Sequence, residues 1–123
     1  RGYSEELAHW IEAASDMFLM PSRYEPCGLN QLYSLRYGTV PIVRRTGGLA
    51  DSVRHFDPAT GQGTGIVFND YDATAVQWAV NHALDLYQQK GHWRRLVQNG
   101  MAQDFSWHRQ VQRYVEQYER LAR

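Results

Sequence analysis

Short, mainly apolar runs divide the chain at three places. Residues 16–20, 39–44 and 65–68 are rich in apolar side chains, and each run is bounded by glycine, proline or polar residues. Runs of this length without polar alternation are typical of strands that are buried on both faces of a parallel sheet. The pattern therefore predicts three buried strands.

Between and after these runs, apolar residues recur at helical spacing. A first helix is predicted behind Ser4, a residue type that caps helix N-termini, with one face formed by Leu7, Ala8, Ile11 and Ala14. Further helices are predicted over residues 28–37, about 48–53, about 73–90, 92–101 and 106–123. Residues 55–65 hold an Asp-Pro pair and three glycines, and are predicted to form a surface loop without a role in chemistry.

The order of these elements predicts the fold class. Strands that alternate with helices imply a parallel sheet with crossover helices, so we expect an α/β fold with a partial Rossmann-like sheet. A doubly wound sheet usually has about five or six strands, and only three are predicted from this sequence. We therefore expect the chain to be one part of a longer protein, which its non-methionine first residue, Arg1, also favours.

The composition is that of one ordinary globular domain. Its 123 residues are 43% hydrophobic and 21% charged, as in soluble folded proteins. Thirteen basic residues balance thirteen acidic ones, so no basic field is present to attract nucleic acid or an anionic membrane. The sequence has no membrane-length apolar run, and its single cysteine, Cys27, is compatible with a reducing compartment. The expected location is the cytoplasm.

The loop after the first predicted strand carries the strongest candidate site. Ligands of open α/β sheets bind beyond the carboxyl ends of the strands, where this loop lies. Pro26 disfavours helical geometry at Glu25, so that the carboxylate projects from the loop. The amides of Gly28, Leu29 and Asn30 are expected at the exposed N-terminus of the next helix. Such a terminus suits a diphosphate, with about 0.3–1 kcal/mol from the helix dipole alone.

A second glycine turn strengthens this interpretation. Taken alone, one strand-loop-helix connection with a glycine at the start of the helix more often has a purely structural role. Gly47 and Gly48, however, also follow a strand and open a helix, so two helix N-termini are expected at one edge of the sheet. The five histidines lack paired ligand spacing, and no metal site is predicted.

Five segments of the chain form a recognisable set. They are Pro-Ser-Arg-Tyr-Glu-Pro-Cys-Gly-Leu at residues 21–29, Gln-Leu-Tyr at 31–33, Tyr-Gly-Thr at 37–39, Thr-Gly-Gly-Leu-Ala-Asp at 46–51 and Asp-Phe-Ser-Trp at 104–107. Together they resemble the signature of the bacterial glycogen synthase and plant starch synthase family. The resemblance spans essentially the whole chain and corresponds to the last quarter of a family member.

The resemblance implies the C-terminal half of a two-domain GT-B glycosyltransferase. Residues 1–123 would form part of its nucleotide-sugar-binding domain, with about 106–123 as the C-terminal helix, and the N-terminal acceptor domain would lie outside this sequence. The implied reaction is the metal-independent, retaining transfer of glucose from ADP-glucose to the 4-hydroxyl end of an α-1,4-glucan. No cofactor is implied beyond ADP-glucose as donor substrate, and a plant protein would be located in the plastid.

The resemblance also implies roles for individual residues. Glu25 would be the catalytic residue, which hydrogen-bonds the donor glucose and stabilises developing positive charge. The amides of Gly28, Leu29 and Asn30 would hold the diphosphate. The other implied substrate-binding residues are Tyr3, which would stack on the base, Cys27 near the sugar, and Gly47 and Gly48 at the border of the sugar pocket.

Some features leave alternatives open. Many related glycosyltransferases have a second glutamate at the position of Tyr33. The glycogen synthase branch resembles this sequence in having a tyrosine there. The family's phosphate-clamping arginine and lysine belong to a segment upstream of Arg1, so this chain alone is predicted to be inactive. The sequence is equally compatible with two roles for Arg44 and Arg45. They could contact phosphate or glucan, or they could form a solvated rim. The alternative function is a non-catalytic module that binds glucan or nucleotide.

Overall fold

The computed structural model describes residues 2 and 4–122, and this part of the chain contains six helices and three strands. In chain order they are α1 (Glu5–Ala14), β1 (Met17–Met20), α2 (Asn30–Tyr37), β2 (Val40–Arg44), α3 (Gly47–Ser52), β3 (Ile66–Phe68), α4 (Ala73–Gln88), α5 (Lys90–Met101) and α6 (Trp107–Leu121). The predicted α/β class, with three strands and flanking helices, is confirmed. No described helix has both the length and the apolar character needed to cross a membrane.

The three strands form one parallel sheet in the order β1-β2-β3. Met20 is paired with Val43 at the end of β1, and Arg44 is paired with Phe68 at the end of β3. Because all three strands run in the same direction, the loops that follow them meet at one side of the sheet. We call this side the carboxyl edge.

The central strand β2 contributes to two cores because successive side chains point to opposite faces. Val40 and Ile42 pack in a cluster with residues of α4 and α5, including the buried Trp93. Val43 packs on the other face with Leu49 of α3. Burial on both faces explains why β2 is apolar throughout except at its last residue.

The start of α2 differs slightly from the prediction. The helix begins at Asn30, and Gly28 adopts a left-handed conformation with φ of 73°. Leu29 occupies the N-cap position without a side-chain hydrogen bond. The helix therefore starts two residues later than predicted, because Gly28 turns the chain into the helix instead of forming its first turn.

The buried face of α1 is not the one that its apolar spacing suggested. Leu7 is 57% exposed and Ile11 is 51% exposed, whereas Glu12 is only 4% exposed. Ser34 donates a hydrogen bond to the Glu12 carboxylate at 3.3 Å, and Thr39 donates to the Glu12 carbonyl. The side of α1 that meets α2 is thus polar. Helical spacing showed which residues share a face, but not which face another element would cover.

The last helix, α6, contributes no buried residue to the described core. No residue of α6 is buried, including the apolar residues that share one face, Val111, Tyr114, Val115 and Tyr118. Contiguous exposed apolar side chains of this kind are typical of surfaces that bind another protein segment.

The predicted loop at residues 55–65 is at the surface only in its middle part, because residues 57–60 are exposed whereas Phe56 is 0% exposed and packs in the core. The exposed part is well fixed. Asp57 donates its backbone N–H to the Gln62 carbonyl at 2.8 Å. The Asn99 side chain in α5 donates to the carbonyls of Gly61 and Gly63 at 2.8 and 2.9 Å. The loop is therefore held to α5 by side-chain hydrogen bonds that its composition did not reveal.

His55 lies next to the edge strand β3 and accepts a hydrogen bond from it. The backbone N–H of Val67 donates to His55 Nδ1 at 3.1 Å, and the His82 ring stacks 5.5 Å from the His55 ring. Burial lowers the pKa of His55 below its usual value of 6.5, and the neighbouring His82 and Arg45 lower it further. Only the neutral ring can accept the hydrogen bond from Val67.

This contact predicts a loss of stability in mild acid. Because the unfolded chain takes up a proton on His55 at higher pH than the folded chain does, the contribution is complete above about pH 6.5 and is lost as the pH falls through the lowered folded pKa. We expect urea unfolding to show a lower free energy at about pH 5 than at about pH 7.5. His55→Asn, which offers an amide oxygen to Val67, should show a smaller difference.

Glu12 acts in the opposite direction, because burial raises the pKa of its carboxyl above 4.5. The contribution of Glu12 to the free energy of unfolding is therefore lost as the pH rises. This contribution is the same in the wild type and in His55→Asn. The comparison between wild type and His55→Asn isolates the histidine. Equal pH dependence in the two proteins would contradict the assigned role of His55.

Candidate functional site

The loop after β1 and the turn after β2 are in direct backbone contact at the carboxyl edge. Gly48 donates its N–H to the Glu25 carbonyl at 3.0 Å. A Cβ added to Gly47 would overlap the Glu25 carbonyl, and one added to Gly48 would overlap the Cys27 backbone. Glycine is therefore required at both positions, because any side chain would force the two segments apart.

These contacts correct the expectation of two free helix N-termini. The helix that follows Gly47, α3, has six residues. Its Gly48 amide is already bonded to Glu25, and the amides of Leu49 and Ala50 donate to the Thr46 carbonyl at 3.1 and 3.3 Å. The second turn thus supports the Glu25 segment, and α3 does not present a second free cradle for an anion.

The N-terminus of α2 is open, as the sequence predicted. Within the described part of the chain, no hydrogen bond occupies the amides of Gly28, Leu29 and Asn30. Leu29 and Asn30 are exposed at the surface. These N–H groups are therefore available to an anionic ligand at the positive end of the α2 dipole.

The buried side-chain amide of Gln31 holds the residues that precede this open terminus. Gln31 is 1% exposed, and its Nε2 donates to the carbonyls of Cys27 and Gly28, both at 3.0 Å. The same nitrogen lies 3.2 Å from Ser52 Oγ, which in turn donates to the Gly48 carbonyl. Gln31 and Ser52 thus connect the two glycine turns.

The sequence interpretation missed this connection, although Gln31 belonged to a quoted motif. The available signal was its position one helical turn before Leu35, on the face of α2 that is buried. A buried amide needs hydrogen-bond partners, so a glutamine at such a position indicates a local polar network.

The candidate side chains are accessible from the carboxyl edge. Glu25 is half-buried, and Cys27 is an exposed free thiol. The structure therefore brings Glu25, Cys27 and the open amides into one short segment, with Gly47 and Gly48 packed against its backbone. Tyr3, the expected base-stacking residue, lies outside the described residues.

A small cavity between α1 and α2 adjoins the open amides. It has a volume of about 190 Å³ and is lined by Glu5, Ala8, His9, Glu12, Leu29, Asn30 and Tyr33. The His9 and Tyr33 rings are 5.1 Å apart, and His9 Nδ1 is 3.2 Å from the Tyr37 hydroxyl. A larger cleft, of about 570 Å³, lies between the fixed surface loop and α5. Only the smaller cavity shares residues with the Gly28–Asn30 cradle.

The two arginines at the end of β2 are both bonded within the chain. Arg44 donates to the carbonyls of Arg23 and Asn69, at 2.8 and 3.2 Å. Arg45 donates to the Asn69 side chain at 2.9 Å. The sequence left their role open between ligand contact and a solvated rim, and neither alternative anticipated these bonds. Among the described residues, no group of three or more acidic, histidine or cysteine side chains is arranged to hold a metal.

Comparison with known proteins agrees with this arrangement. The family model described as "Glycosyl transferases group 1" matches residues 2–102. The glycogen synthase of Koribacter versatilis is 58% identical over 118 residues, which are 96% of this chain and 24% of the relative. The glycogen synthase of Rhodospirillum rubrum is 56% identical over 117 residues, covering 95% of this chain and 24% of the relative.

One similar solved structure carries ligands. It is the catalytic domain of starch synthase IV from Arabidopsis thaliana bound to ADP and acarbose, with a TM-score of 0.86 and 42% sequence identity. The match covers 97% of this chain and 25% of that one. The chain thus spans about a quarter of the length of each of these relatives.

Proposed function

Because the chain belongs to the group 1 family of glycosyl transferases, we propose that it forms the donor-side part of a glycogen synthase. The full enzyme would transfer glucose from ADP-glucose to the 4-hydroxyl end of an α-1,4-glucan with retention of configuration. The relatives named glycogen synthase and the starch synthase bound to ADP and acarbose support this proposal. The observation that carries it is the open N-terminus of α2 beside Glu25.

The proposed roles follow from what each group can bind. The amides of Gly28, Leu29 and Asn30 hold the diphosphate, and Glu25 accepts a hydrogen bond from the donor glucose. Cys27, Gly47 and Gly48 border the glucose, and Tyr3 stacks on the base. The cavity between α1 and α2 begins at the same amides and therefore receives the nucleoside.

These groups favour the transition state over bound donor. As the bond between glucose and diphosphate lengthens, positive charge develops on the sugar and negative charge grows on the leaving diphosphate. The Glu25 carboxylate stabilises the first charge, and the α2 amides with their dipole stabilise the second. Both interactions strengthen as the charges separate, which is the condition for catalysis. The proposed chemistry requires neither metal nor cofactor.

The same proposal accounts for the exposed apolar faces of α1 and α6. Leu7 and Ile11 on α1, and Tyr114 and Tyr118 on α6, would be covered by other parts of the full enzyme, including its N-terminal acceptor domain. Residues 1–123 then belong to the C-terminal domain of a GT-B fold. The enzyme would be located in the cytoplasm, or in the plastid if the source is a plant.

Titration of ADP into the isolated chain tests the cradle. Because the open amides and the small cavity both lie in this chain, we expect binding at millimolar ADP, with NMR shift changes at the amides of Gly28, Leu29 and Asn30. The amide of Gly91, near the start of α5, should not shift. If millimolar ADP changed none of the cradle amides, the proposed diphosphate site would be excluded.

A chimaera tests the reaction. Residues 2–122 of this chain would replace the matching segment of the Koribacter versatilis glycogen synthase, and glucosyl transfer from ADP-glucose to glycogen would be measured. We expect the chimaera to be active and the isolated chain to be inactive, because the acceptor side is supplied by the other domain. An inactive but folded chimaera that still binds ADP would favour a non-catalytic nucleotide-binding module.

A further inference from the structure

Arg44, the last residue of β2, contacts the loops on both sides of its own strand. Its Nη1 donates to the Arg23 carbonyl in the loop after β1, at 2.8 Å. Its Nε donates to the Asn69 carbonyl in the turn after β3, at 3.2 Å. The guanidinium carbon lies 5.4 Å from the centre of the Tyr71 ring. One side chain thus joins all three segments of the carboxyl edge.

We propose that Arg44 is a positioning residue, which holds Glu25 in place through the Arg23 carbonyl. The inference rests on the proposed function, because it concerns the placement of the carboxylate that would contact the donor glucose. Arg23 precedes Glu25 by two residues, and Gly48 holds the carbonyl of Glu25 itself at 3.0 Å. The backbone is therefore fixed both before Glu25 and at Glu25.

This contact pattern uses properties that lysine does not have. A guanidinium is planar and offers five N–H donors in a rigid arrangement, so it bonds two carbonyls and stacks on an aromatic ring at the same time. The compact ammonium of lysine carries the same charge on a flexible stem and does not reproduce that arrangement. Arg44→Lys therefore changes the geometry of the contacts while the charge of the carboxyl edge is kept.

The neighbouring Arg45 is not equivalent. Its Nε donates to the Asn69 side chain, which belongs to the turn after β3, and the described contacts do not link it to the loop after β1. Of the two arginines, only Arg44 is thus placed to determine the position of Glu25.

The test compares Arg44→Lys with Arg54→Lys in the chimaera. Arg54 is exposed, and no hydrogen bond of its side chain is present in the described structure. We expect Arg44→Lys to lower kcat by about 10- to 100-fold, because a displacement of about 1 Å at a reacting group costs up to about 100-fold. The KM for ADP-glucose should change little, since the α2 amides stay in place. Arg54→Lys should leave both parameters unchanged.

The outcomes distinguish the positioning of Glu25 from a general effect of the substitution on protein stability. Unchanged kcat in Arg44→Lys, or a lowered Tm with unchanged kcat for the folded fraction, would overturn the inference. If Arg44→Lys does not fold, Tyr71→Leu takes its place: it keeps every charge and removes the ring beside the guanidinium. A lower kcat at unchanged KM then supports the inference, and an unchanged kcat overturns it. An inactive wild-type chimaera would instead count against the proposed function itself.

Discussion

Glu25→Gln in the chimaera is expected to lower kcat by about 10²- to 10³-fold, which is the usual cost of losing one group that stabilises transition-state charge. The substitution preserves the shape of the side chain and removes its negative charge. The glutamine still hydrogen-bonds the sugar in the ground state, so the KM for ADP-glucose should stay near its original value. Tm should also be nearly unchanged, because Glu25 is half-buried and the Gly48 amide bonds its backbone rather than its carboxylate.

Steady-state kinetics with varied ADP-glucose provide the measurement, and Asp85→Asn provides the control. Asp85 is an exposed acid near the C-terminal end of α4, whereas the N-terminal end of this helix follows the carboxyl edge, and its neutralisation should leave kcat unchanged. If Glu25→Gln raised KM strongly while kcat stayed the same, Glu25 would be a binding residue only. The proposed stabilisation of positive charge would then be wrong.

Gly48→Ala is expected to destabilise the isolated chain by about 1–3 kcal/mol or more, the range observed for overpacked sites. The added methyl group would overlap the backbone of Cys27, which cannot change rotamer to make room. The segment from Glu25 to Gly28 must then move, which also breaks the hydrogen bond from Gly48 to Glu25. We therefore expect ADP binding to be lost together with stability.

Urea unfolding and ADP titration would measure the two effects on the same protein. Gly91→Ala is the matched control, because nothing lies within 4 Å of a Cβ added there. Gly91 is within α5, so alanine should be neutral or stabilise the chain by up to about 1 kcal/mol. Wild-type ADP binding in Gly48→Ala would show that the close contact of the two turns is not needed for the site.

Most of the secondary structure was predictable because it depends on local spacing. The three strands were identified from the length of their apolar runs, since strands buried on both faces carry few polar residues. The open α2 terminus was also foreseen, because the first amides of a helix have no intrahelical partners. The same reasoning failed at Gly47 and Gly48, where the carbonyl of Glu25 in the loop after β1 occupies the Gly48 amide. The predicted start of α2 was two residues too early. The sequence alone did not show that Gly28 forms a left-handed turn before the helix and is not part of the helix.

The orientation of the helices was not predictable in the same way. The apolar spacing of α1 indicated a face that includes Leu7 and Ile11, yet that face is exposed and Glu12 is buried. Periodicity describes one helix, whereas burial depends on what packs against it. In α1, the side that packs on the fold is the one where Glu12 accepts hydrogen bonds from Ser34 of α2 and from Thr39, which follows α2.

For the site, local sequence specifies the chemical groups and the fold specifies how they are held. Glu25 and the three following amides of the cradle could be named in advance, because they lie within six residues of one another in a strand-loop-helix connection. The long-range side-chain contacts that hold these groups could not be named in advance. Gln31 reaches Ser52 and Arg44 reaches Arg23 across 21 positions of the chain in each case. Such contacts exist only once parallel strands bring separate loops to the same edge of the sheet.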